Sequence, residues 1–133
     1  PEIPPYLDIV AWGAVYIEVK YAPVFWNYQH NIAKFGFVWS ERQIKQPDLT
    51  HITVLVCQYS QEQTTFHVFN SDNSIFFHDG KHQTRMTAYY GDKVPPRKPH
   101  IIPQGMLDAA QDAWHWIEDI RQHISNELRK GER

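Results

Sequence analysis

The stretch HITVLVCQY, residues 51–59, is the most continuous apolar run in the chain and restricts its possible folds more than any other feature. Such a run, short and rich in β-branched residues, reads as a strand buried on both faces, which demands a sheet interior. Residues 6–12 and 15–21 supply candidate neighbours. Both are rich in Ile, Val, Trp and Tyr, and they flank Gly13-Ala14, so a hairpin is expected there. Pro23 suits a first helical position, while Phe25, Tyr28, Ile32 and Phe35 recur at helical spacing until Gly36. That spacing predicts a helix between the hairpin and the central strand, with strand 51–59 parallel to 15–21 through a right-handed crossover.

TTFHVFN, SIFFHD and HQTRMTAYY follow, separated by Ser71-Asp72-Asn73 and Asp79-Gly80, which are turn sequences. They predict a meander that makes the sheet mixed. GDKVPPRKPHIIP, residues 91–103, carries four prolines and reads as an extended loop. One long helix over about 104–129 then carries Leu107, Ala110, Trp114, Ile117, Ile120, Ile124 and Leu128 on a single stripe. The expected fold class is α/β, a mixed central β-sheet with flanking helices, in one domain over 1–133.

With 133 residues and 42% hydrophobic content the chain can build a real core, and no apolar run reaches the ~20 residues of a membrane span. A net charge of −2 gives no general pull toward nucleic acid, so a polyanion would need a local patch or a metal. Cys57 is the single cysteine, and no signal peptide is visible, which points to a reducing, cytoplasmic setting. The first residue is Pro, so an excised fragment or processed chain is expected.

Asp8, Glu18 and Lys20 interrupt the two apolar runs of the hairpin. Alternation puts Glu18 and Lys20 on one strand face, opposite Ile17, Val19 and Tyr21. The place of Asp8 depends on register. A two-residue loop, Gly13-Ala14, would pair it with Val19 and turn it away. A three-residue loop, 13–15, would pair it with Lys20 and gather all three. Two carboxylates and a lysine on an apolar sheet face are costly unless they serve one another or a cation. A hard divalent ion such as Mg²⁺ accepts oxygen ligands of this kind.

The wording LDIVAW…VYIEVK resembles the PD-(D/E)xK nuclease superfamily, its compact VRR-type, Holliday-junction-resolvase-like or restriction-endonuclease-like members. There an aspartate on one strand precedes an acidic-x-lysine motif on the next, followed by a helix. The resemblance implies a restriction-endonuclease-like fold and a Mg²⁺- or Mn²⁺-dependent endonuclease acting on nucleic acid, DNA ahead of RNA. Asp8 and Glu18 would hold the metal with the Val19 carbonyl, Lys20 would be the catalytic lysine, and Gln29 would stand near the site. The family core begins with a helix and strand before the aspartate, whereas seven residues precede Asp8, so N-terminal core elements are expected to be missing or replaced. The alternatives are an inactive nucleic-acid or protein interaction module on the same fold, and an unrelated α/β interaction protein if Asp8 and Glu18 face apart. The family also suggests a homodimer or a part of a larger protein.

Other groups have plainer readings. Lys93, Arg97 and Lys98 on the proline-rich loop would suit phosphate contacts or a solvated linker equally. His115, Asp119 and His123 follow helical spacing opposite the apolar stripe, and read as a solvated face ahead of a zinc site. His67 and His78 read as surface residues of the meander, and Cys57 as a small core residue. Trp12, Trp26 and Trp39 could stack on bases, with core packing as the default.

Overall fold

The computed structural model describes residues 9–11, 14–28, 31–45, 50–91 and 100–131. Its strands are β1 (Ile9–Ala11), β2 (Val15–Pro23), β3 (Phe25–Asn27), β4 (Ile32–Val38), β5 (Ile52–Gln58), β6 (Thr64–Asn70), β7 (Phe77–His78), β8 (Lys81–His82), β9 (Arg85–Gly91) and β10 (Ile101–Ile102). Its helices are α1 (Glu41–Lys45), α2 (Gln104–Ala110) and α3 (His115–Gly131). The class is mixed α/β, as the sequence predicts.

Two four-stranded sheets replace the single central sheet expected. The first has the order β1-β2-β5-β6, with β2 parallel to β5 and the other pairs antiparallel. The second has the order β10-β9-β4-β3, antiparallel except for β10 on β9. Strand β5 lies in the interior of its sheet, parallel to β2 and buried on both faces over most of its length, as its apolar run requires. Between the sheets lies one core, with Ala22, Leu55, Cys57 and Phe69 meeting Phe35, Phe37, Met86, Ala88 and Ile102. The opposite face of the first sheet carries Val15, Ile17, Ile52, Val54 and Val68, covered by Trp116, Ile117, Ile120 and Ile124 of α3.

Among the described residues the helix expected over 23–36 is absent, and β3 and β4 stand in its place. Burial along this segment has period two: Ala33, Phe35, Phe37 and Trp39 are buried, while Lys34, Gly36 and Val38 are exposed. Of the residues that suggested a helix, Phe25 and Tyr28 are exposed. The aromatic and β-branched side chains fit a pleated, half-buried surface, and the core lies along one pleat. The connection from β2 back to parallel β5 therefore passes through two strands of the other sheet and α1.

The C-terminal helix is also two helices. Asp112 has φ 53°, a left-handed conformation, and its N–H donates to the Phe66 carbonyl at 2.8 Å. The stripe read as continuous divides between two cores. Leu107 and Ala110 of α2 join the core between the sheets, whereas Ile117, Ile120 and Ile124 lie on the far face of the first sheet. One straight helix cannot serve both. Asp79 and Gly80 make the β7–β8 turn with φ 51° and 75°, the two positive values that a tight hairpin turn requires.

Candidate functional site

Glu18 and Lys20 project from β2 into the space between the sheets, on the face shared with Ala22 and opposite Ile17 and Val19. Lys20 Nζ lies 3.0 Å from Glu18 Oε1, with 16% of the lysine side chain and 5% of the glutamate side chain exposed. The ammonium also donates to Gln43 Oε1 at 2.9 Å and stands 5.7 Å from the centre of the Trp39 ring. Gln43 is positioned by the entry to α1: its side-chain oxygen accepts from the Ser40 N–H, and its own N–H donates to Ser40 Oγ. The strand after β4 and the short helix thus deliver Trp39 and Gln43 to the ion pair.

Glu18 pairs across the ladder with Thr53, whose hydroxyl meets Ser71 Oγ at 2.8 Å. Glu18, Trp39, Gln43, Thr50, Thr53, Ser71 and His82 line a cavity of about 20 Å³, room for a single water or small ion. His82 arrives on β8, its ring parallel to that of Phe76 and near Trp39. Its Nδ1–H donates to the Gln83 carbonyl at 2.7 Å, so the neutral ring carries its basic lone pair on Nε2. Burial lowers the His82 pKa, the Gln83 hydrogen bond opposes that shift, and the Lys20 charge adds to it.

The β1–β2 register differs from both possibilities weighed in the sequence. Ile9 pairs with Ile17 and Ala11 with Val15, so the connection is residues 12–14, one position earlier than the three-residue loop considered. Asp8 lies outside the described residues, as do Gln29, Trp12, Lys93, Arg97 and Lys98. Of the described residues given functional roles, Glu18 and Lys20 are brought together. Val19 adjoins them on β2, its side chain turned toward the core beneath α3.

Gln43, Thr53, Ser71 and His82 were not among the residues singled out in the sequence. They come from α1, β5, the turn after β6 and β8, and no local spacing links them to Glu18. His67 is fully buried, against the surface position expected for it, because β6 turns it into the core between the sheets, where its Nδ1–H donates to the Leu107 carbonyl at 2.6 Å. His78 is exposed, as expected. Cys57 is buried in the core and its thiol is pushed up to about 12 by burial, the state of an inert packing residue. Trp39 is buried and Trp26 is largely exposed. Among the described residues, no group of three or more His, Cys, Asp or Glu side chains converges as a metal site, and His115, Asp119 and His123 form none.

Comparison with protein-family models, with curated proteins and with solved structures finds no match.

Proposed function

We propose that the cleft around Glu18 and Lys20 is a metal-dependent hydrolytic site for phosphodiesters of nucleic acid, DNA ahead of RNA. The observation that carries this reading is the buried Glu18–Lys20 pair inside a polar pocket between two otherwise apolar sheets. A buried ion pair contributes little to stability, and charged groups held together in a cleft are candidates for function. Asp8 lies outside the described residues, directly before β1, and joins this reading through the sequence resemblance. The donor set is of the right kind, since a Glu18 carboxylate, the Thr53 and Ser71 hydroxyls and an added Asp8 carboxylate are the hard oxygen ligands that Mg²⁺ or Mn²⁺ takes.

Bound between Asp8 and Glu18, the metal would supply positive charge at the scissile phosphate and at the attacking oxygen. Lys20 would donate from Nζ to a phosphate oxygen and stabilise the charge that builds there. Gln43 holds the lysine chain in place, and His82, which lines the same pocket, would offer its Nε2 lone pair to a proton of a water bound there. The Thr53 and Ser71 hydroxyls would orient that water.

A second reading has its own observation. The cavity beside Glu18 has room for about one water, and Trp39 and Gln43 stand over the lysine, which suits a structural ion pair in a non-catalytic interaction module. The absence of the helix that nucleases of the resembling superfamily carry after the acidic-x-lysine strand favours the same reading. Cleavage of labelled single-stranded, duplex and branched DNA and of RNA with Mg²⁺ separates the two. The hydrolytic reading expects metal-dependent cutting that falls by roughly 100-fold or more in Lys20→Arg, a variant that retains the charge but not the ammonium geometry. A wild type inert on every substrate would leave the interaction module.

A further inference from the structure

The outer face of the second sheet offers a different chemistry. On β3, β4 and β9 the pairing sets Phe25 opposite Lys34 and Lys34 opposite Tyr89, so an aromatic ring, a cation and a second aromatic ring form one row across three adjacent strands. The same face carries Gly36 opposite Thr87 and Val38 opposite Arg85. Phe25 is 67% exposed, Lys34, Gly36, Val38 and Arg85 are exposed, and Tyr89 is half-buried. A side chain built at Gly36 would meet nothing within 4 Å, so the β3–β4 side of the face is open there, whereas Ile32, Thr87 and Ile101 on the same face are buried. In contrast, α3 covers the outer face of the first sheet.

We propose that this face is a binding platform for single-stranded nucleic acid. Phe25 and Tyr89 stand two strand spacings apart, about 10 Å, with the lysine between them. Exposed rings at that separation suit successive unpaired bases, whose flat faces stack on aromatics regardless of sequence. Lys34 lies between the rings, and Arg85 stands on the same face four residues from Tyr89 along β9, about 13 Å away, so the two cations mark a line along which backbone phosphates would run. Charge complementarity selects this occupant. No outward position on β3, β4, β9 or β10 is an Asp or Glu, although the whole chain has net charge −2. Among the described residues, neither Lys34 nor Arg85 takes part in an ion pair. An apolar partner would gain little from a lysine at the centre of its contact and an arginine at its end, and a duplex keeps its bases stacked within itself. The platform is separated from the Glu18 pocket by the second sheet and holds whether or not that pocket hydrolyses anything.

Fluorescence anisotropy in EDTA tests it, with labelled dT15, rU15, a DNA duplex of the same length and a poly-glutamate peptide as probes. The expected result is binding of dT15 or rU15 in preference to the duplex and the peptide. Phe25→Ala and Tyr89→Ala should each weaken it by roughly 5- to 100-fold, and Tyr89→Phe should retain it. Lys34→Ala and Arg85→Ala should each flatten the log–log salt slope by about 0.7. Phe25 is exposed on an edge strand, so its alanine variant tests the platform without loss of core packing. Absence of binding to either single strand, affinity unchanged within twofold in Phe25→Ala, or equal binding of duplex or peptide would overturn the proposal. Because no metal is present, failure here is distinct from failure of the cleavage reaction.

Discussion

Glu18 keeps its carboxylate between two sheets because Lys20, two residues along the same strand, reaches back to it at 3.0 Å. Removing one member of a buried pair takes the counter-charge from the other, at a cost of about 3 kcal/mol. Lys20→Met should therefore lower the urea midpoint clearly, and Glu18→Gln with Lys20→Met should recover most of the loss. Equal stability of Lys20→Met and wild type would show that the pair is energetically idle. The shared face of Glu18 and Lys20 was legible in the sequence, since alternation on a strand is a local rule and Ile17 and Val19 mark the other face. The rest of the pocket was not. Thr53, Ser71 and His82 reach Glu18 only through the pairing of β2 with β5 and the passage of the chain past β6, which is tertiary information. The burial of His67 is hidden for a similar reason: its neighbours Phe66 and Val68 show alternation, but only the second sheet and α2 decide which face is inside.

At the scale of elements, segment 23–38 departs most from its sequence pattern. Aromatic residues at three- and four-residue spacing coexist there with strict alternation from Ala33 to Trp39, and the second pattern follows the core. The β4–β9 pair gives a direct check. Gly91 has φ 146°, and a Cβ there would lie 2.6 Å from the Asn31 carbonyl oxygen, a main-chain atom. Gly91→Ala should cost at least ~2 kcal/mol, whereas Gly36→Ala, in open space within a strand, should stabilise by roughly 0.5 kcal/mol. Urea unfolding of both variants reads the contrast, and equal effects would contradict the close approach of β4 to β9. A second check concerns how α2 is held. His67 donates to the Leu107 carbonyl of α2 and its Nε2 meets Thr65 Oγ1 at 2.9 Å. Burial lowers its pKa, while the Leu107 hydrogen bond and the charges of Asp108 and Asp112 oppose that shift. The folded state thus binds its proton less readily than the unfolded chain, so stability is full above about pH 6.5 and declines as pH falls through the window below it. Unfolding measured from pH 7.5 to 5 should show that decline, and it should be smaller in His67→Gln. Identical slopes would place the acid sensitivity elsewhere.

Across the whole molecule, the chain alternates between two sheets: β1 and β2 in the first, β3 and β4 in the second, β5 and β6 in the first again, β9 and β10 in the second. That interleaving gathers side chains far apart in sequence around Glu18, and it places α3 over one outer sheet face while Phe25, Lys34 and Val38 stand exposed on the other. The central strand and its parallel pairing with β2 were readable because a doubly buried strand announces itself by composition. The division into two sheets was not, because the signals for staying in a sheet and crossing to another are the same apolar alternation. Among the described residues no helix is long and apolar enough to cross a membrane. Central to the proposed hydrolytic site is a cation held by Glu18 and Asp8. Mn²⁺ binding measured by electron paramagnetic resonance in wild type, Glu18→Gln and Asp8→Asn tests that most directly. One ion bound per chain in wild type and lost in both variants is the predicted result; binding unchanged in both, or none at millimolar Mn²⁺, would contradict it.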